Sequence, residues 1–178
     1  MTKAKIFVLT IMALMIGSVG VFALSDTASH TVTMQVNEIA LIDLNDVTAI
    51  TLTTNAPANG GENVTGDTDA TKLLQYTSLV AAGVTRNITV QADLAVPAPA
   101  GTSLKLAAVV PGGCGTAAPQ VTITNAAQNL ITAIGSCATG TGASGAALTY
   151  TFSVDTVASL VVGATTSPVI TFTLADAS

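Results

Sequence analysis

Apolar and polar residues alternate along most of this chain from residue 30 onward. In the stretch His30–Val36, Val32, Met34 and Val36 share one face. Asn37 and Glu38 shift the phase, and Ile39, Leu41 and Leu44 then carry the apolar positions. Such a shift within a long strand predicts a bulge or a switch between sheets. Further alternating segments run over Thr48–Thr54, Leu73–Ser78, Asn87–Ala92, Ser103–Val109, Gln120–Thr124, Leu130–Ile134, Leu148–Val154 and Val169–Leu174. Thr and Val dominate them, and both suit a pleated, half-buried surface. Short strands at regular spacing between Gly, Pro, Asn and Asp turns predict an all-β sandwich of immunoglobulin-like or jelly-roll arrangement. The expected organisation is an extended N-terminal strand over 24–37 and one sandwich over 38–178. The apolar run Val157–Val162 fits a helical turn or a strand equally well by periodicity. No repeat of fixed length is present.

The first 23 residues follow a different rule. Lys3 and Lys5 precede an apolar run from Ile6 to Val19, and Val21-Phe22-Ala23 closes it. That is the charged, apolar and small-residue order of a cleaved secretory signal. Cleavage is expected after Ala23, with Ala28 or Ser29 as other sites. The apolar segment falls short of the ~20 residues of a membrane-spanning helix, so membrane contact is expected only during export. No Cys near the cleavage site offers a lipid attachment point. The expected location is extracellular, at the cell surface.

Composition sharpens this picture. Hydrophobic residues make up 49% of the chain and charged residues 8%, against about 25% charged in an ordinary domain. Charge normally keeps a monomer soluble and apart from its neighbours. A surface built from Thr, Ser, Ala and Gly suits burial between subunits. Without the leader, ten acidic residues face Lys72, Arg86 and Lys105; ten minus three leaves −7 with His30 neutral. Three scattered cations make no phosphate-binding patch, which excludes nucleic acid as a partner.

Candidate chemistry is sparse. His30 is the single histidine and lies ahead of the sandwich, so no base stands ready for a Ser or Cys nucleophile. Carboxylates fall in loops: Asp43 and Asp46 in one, Glu62, Asp67 and Asp69 in another. A sugar-cleaving pair is expected to work beside aromatic platforms. After the leader the aromatics are Tyr76, Tyr150, Phe152 and Phe172, all in predicted strands. Asn63, Asp67 and Asp69 form a weak Ca²⁺ candidate, since a hard cation takes several oxygens from one flexible loop. The solvated-turn reading is preferred, so no metal or cofactor is expected. Asn63-Val-Thr65 and Asn87-Ile-Thr89 match the glycosylation acceptor pattern, Asn63 being the better placed of the two. Cys114 and Cys137 are the only cysteines. In an exported chain, two cysteines predict one disulfide.

An unpaired sheet edge can take up a strand from another chain. Thr31, Val32, Thr33, Met34, Gln35 and Val36 suit that role: they alternate and carry no charge. With the leader, this strand and the Cys114/Cys137 pair, the chain resembles pilin-like filament subunits of the donor-strand type. The resemblance implies a structural, non-enzymatic subunit of an extracellular filament or surface layer whose partner is a further copy of itself. The alternative expectation is a monomeric β-sandwich module for binding or adhesion.

Overall fold

A computed structural model describes residues 26–177 of the chain. The described residues divide into two units, 26–35 and 36–177. In the first, residues 26–35 form neither helix nor strand, and all are exposed. The leader expected over 1–23 lies outside the described residues.

The second unit is an all-β sandwich. Its strands, in chain order, are β1 (Ile39–Leu44), β2 (Thr54–Asn55), β3 (Thr65–Gly66), β4 (Thr68–Asp69), β5 (Leu73–Leu79), β6 (Arg86–Ala92), β7 (Thr102–Val109), β8 (Thr116–Ala117), β9 (Val121–Thr122), β10 (Gln128–Ile134), β11 (Cys137–Ala138), β12 (Ala146–Val154) and β13 (Ile170–Asp176). One sheet runs β1-β5-β12-β7-β9, with β11 added to β5 and β4 to β12. The other runs β13-β6-β10-β8, and β2 and β3 form a small ribbon. All pairings are antiparallel. The run beginning at Val157 resolves into a single 3-10 turn, Val157–Ser159. Among the described residues no helix is long and apolar enough to cross a membrane.

The period of two decides what is buried. In β5, Leu74, Tyr76 and Ser78 point inward, and in β6, Arg86, Ile88, Val90 and Ala92 do. They meet Leu106 and Ala108 of β7, Leu130, Ile131 and Ile134 of β10, and Ala146, Leu148 and Tyr150 of β12 in one core. Two inner faces interdigitating in this way define a sandwich.

Four expectations differ from the structure. The stretch His30–Val36 forms no strand, and β1 starts only at Ile39. Within β1 the inward residues are Ile42 and Leu44, while Leu41 is 65% exposed. The cause is register: Ile42 pairs with Tyr76 and Leu44 with Leu74, both buried, and paired residues share a face. Third, 48–53 belongs to no strand. The alternation survives there, with Ile50 and Leu52 half-buried and Ala49, Thr51 and Thr53 exposed. Among the described residues no backbone–backbone hydrogen bond reaches this stretch. The bulge expected near residue 37 occurs instead in β10, where the register shifts on both sides of Ile131. Ala133 takes φ 55° there, and its N–H donates to Asn87 Oδ1 at 3.3 Å.

Candidate functional site

Each sheet has two end strands, β1 and β9 in the first and β13 and β8 in the second, and one from each sheet, β1 and β13, lie near each other. Ile42 and Leu44 on one side, and Ile170, Phe172 and Leu174 on the other, pack against the core yet stay half-exposed, as do Ile50 and Leu52 further along the chain from β1. The arrangement is a seam along which the sandwich is only partly closed.

Arg86 holds one end of this seam. Its side chain is only 4% exposed. Its Nε donates to Asp176 Oδ1 at 3.0 Å, and its Nη2 pairs with the carboxylate of Glu38. Its Nη1 donates to the carbonyl of Ile39 and, at 3.3 Å, to Ser78 Oγ. A single guanidinium thus ties β1, β5 and β13 to β6. A buried Arg needs such saturation, because its five donors in a fixed fork otherwise go unpaired. Lys72 is the other buried cation among the described residues. Its Nζ donates to Asp46 Oδ2 at 2.7 Å and to Thr48 Oγ1 at 3.1 Å, where the chain leaves β1 for 48–53. Those bonds, led by that from Lys72, hold the Asp46 carboxyl well below the usual range.

The stretch Thr31–Val36 is exposed throughout: Val32 stands 64% exposed, Met34 89% and Val36 81%. Exposed aliphatic side chains at i, i+2 and i+4, with no charge between them, are a strand-forming pattern without a partner.

Cys114 and Cys137 meet in the core, held as thiols. Cys114 follows the turn at Pro111-Gly-Gly, whose carbonyl at Pro111 accepts from the Cys114 N–H at 3.1 Å. Cys137 pairs with Ser78 of β5. Burial, and then the Cys114 thiol within hydrogen-bonding reach, push the Cys137 thiol up to about 12. Tyr76 lies over the pair and donates to the Cys114 carbonyl at 2.6 Å. Burial foremost, with both cysteines adding, pushes its phenol far above the ordinary range. Gly115, next in the chain after Cys114, packs closely against β10. It takes φ 113°, and a Cβ there would come within 2.8 Å of Ile134 Cγ1 and of the Thr132 carbonyl.

The remaining candidates are dispersed. His30 is exposed among residues 26–35. Asp67 Oδ1 accepts from the Thr68 N–H at 2.8 Å, and Asp69 Oδ1 from Thr71 N–H and Oγ1 at 3.0 and 2.8 Å. These are the ordinary turn-capping bonds of Asp. Asn63 is exposed in the neighbouring loop. Glu62 turns the other way, to Asn59, whose side-chain and backbone donors lower its carboxyl. Among the described residues no three His, Cys, Asp or Glu side chains gather as a metal site. Asn87 sits within β6, half-buried, with its amide oxygen engaged by Ala133. The sequence gives no hint of the Arg86 staple, whose carboxylates come from 48 residues upstream and 90 downstream.

No protein-family model, no curated protein and no solved structure matches this chain.

Proposed function

We propose that this chain is a structural subunit of an extracellular filament or surface layer, polymerising by β-strand donation between sandwiches. The observation that carries the reading is the stretch Thr31–Val36, which alternates like a strand and lacks charge, yet leaves Val32, Met34 and Val36 in solvent. Each such side chain gains roughly 1.5–3 kcal/mol when fully buried. Ladder bonds to an acceptor edge would add register and direction. The near absence of charge fits the same reading, since assembled subunits cover much of their surface. The role involves no catalytic step, no cofactor and no partner other than further copies.

Deletion of residues 24–36, followed by electron microscopy and size analysis, tests it. Full-length mature chain is expected to form regular fibres or sheets, and the deletion to accumulate as monomer. Normal fibres from the deleted chain overturn strand donation. A full-length chain that stays a monodisperse monomer at high concentration favours the monomeric binding or adhesion module instead.

A further inference from the structure

We infer that the acceptor for this donated strand is the seam between β1, with its unladdered continuation 48–53, and β13, and that residues 31–36 of a second copy lie in it. The inference rests on the filament reading and adds where the strand goes.

Three observations converge on this seam. First, its inner wall is apolar at strand spacing. Ile170, Phe172 and Leu174 repeat every second residue, as do Ile42 and Leu44, and Ile50 and Leu52. Val32, Met34 and Val36 repeat at the same interval, so each can face the gap while Thr31, Thr33 and Gln35 face out. Second, ladder capacity is unused here. β13 pairs only with β6, β1 only with β5, and 48–53 with nothing among the described residues. Third, the edges are thinly defended: the one charge within β1 is Asp43, which is exposed. Sheet edges are normally blunted by charge, Pro or a bulge. The stretch 48–53 and β13 as far as Ala175 carry none of these. Apart from the exposed Asp43, the charges stand at the margins: Arg86 with Glu38 and Asp176 at one end, Lys72 with Asp46 where 48–53 begins. A strand without charge fits between them.

The occupant comes from another copy for a geometric reason. To cap its own β1, the chain has to reverse at Asn37-Glu38. A two-residue hairpin turn needs positive φ, and among the described residues Ala133 alone of the non-glycines has it. Glu38 is moreover held to Arg86.

Met34 makes the test direct, because it is the only methionine after Met15. Full chain grown with a photoreactive methionine analogue is assembled as a mixture of ¹⁴N- and ¹⁵N-labelled subunits, irradiated, digested and mapped. The expected result is crosslinks from Met34 to 48–53 or 170–176 that join a light to a heavy peptide in about half of the products. Mixed-isotope crosslinks to β8, β9 or another edge keep strand donation and overturn the seam. Crosslinks confined to single-isotope pairs show the segment folded on its own chain and overturn both. Fibres that form with no crosslink from Met34 to sandwich residues also overturn both. Backbone exchange supplies a second reading: amides 49–53 are expected to slow at least tenfold from monomer to assembly. Unchanged exchange there overturns the seam whatever the crosslinks at β13.

Discussion

The middle of the sandwich and its β1/β13 margin are made of the same residue types but finished differently. In the middle, β6, β7, β10 and β12 are paired on both sides, and Ile88, Leu106, Leu130 and Leu148 are wholly buried. At the margin, equally apolar strands stop with one edge open and their inward side chains half-exposed. Composition therefore does not distinguish a closed core from an edge left open. Whether the next ladder exists does, because a buried backbone must have its hydrogen bonds made, while an edge can leave them to water or to another chain.

Truncation sharpens this contrast most. Leu148→Ala in the middle is expected to cost about 2–5 kcal/mol, and Leu52→Ala at the margin about 1 kcal/mol or less in the monomer. Denaturant midpoints of the two monomeric variants measure both. Equal losses mean that the margin is as closed as the middle. Assembly then reverses the ranking in one respect: Leu52→Ala impairs fibre formation, whereas Leu148→Ala only lowers the melting point.

The cysteine pair tests how firmly the middle is locked. Oxidation is expected to join Cys114 to Cys137, closing a loop worth about 3 kcal/mol in the chain-entropy model. Mass spectrometry of unreduced protein should give one intramolecular link, and a reduced sample should unfold at a lower denaturant concentration. While reduced and folded, Cys137 should resist alkylation at pH 8, since its thiol is pushed up to about 12 by burial and by Cys114. Rapid labelling before unfolding breaks that expectation.

Arg86→Met opens the margin specifically. The carboxylates of Glu38 and Asp176 are largely solvated and survive the loss, but the Ile39 carbonyl and Ser78 Oγ lose a donor. The cost should be about 2 kcal/mol. Hydrogen exchange should quicken across β1 and β13 and stay unchanged across β7 and β12. Uniform acceleration shows that Arg86 serves the whole core instead.

The smallest expected effect is a pH dependence at Asp46. Its carboxyl is depressed in the folded protein, first by the Lys72 hydrogen bond. Its contribution is therefore complete above the unfolded value of about 3.9. It is lost as pH falls through the acid range below that, toward the depressed folded value. Asp46→Asn should flatten this part of the acid limb of a stability–pH curve. An unchanged limb assigns acid sensitivity to other carboxylates.

The sequence was most informative where pairing is saturated. Leu73–Leu79, Arg86–Ala92, Thr102–Val109 and Ala146–Val154 fall within a residue or two of the segments that alternation predicts, because both faces of their environment are fixed. It was least informative at two-residue strands such as β3, β4, β8 and β11, where tertiary neighbours rather than a local period supply the ladder. Thr48–Thr54 shows the limit most clearly. It alternates as well as any strand, yet alternation predicts a face and not a partner. The phase of β1 was misread because Ile39, Leu41, Ile42 and Leu44 allow either face to be apolar, and the choice rests on pairing with Tyr76 and Leu74. The need for glycine at Gly115 appears only once Ile134 and Thr132 are beside it.

The Arg86 staple has a mechanical side. Tension entering the chain ahead of Glu38 and running along β1 acts across the antiparallel bonds to β5, which lie perpendicular to the strand. Six register pairs, Ile39↔Leu79 to Leu44↔Leu74, then share the load in shear instead of opening one after another. The guanidinium is the first element the force meets. Through it, part of the pull passes to Asp176 and so to the seven pairs between β13 and β6. A buried arginine on an inner strand thus couples both sheets to a single point of traction.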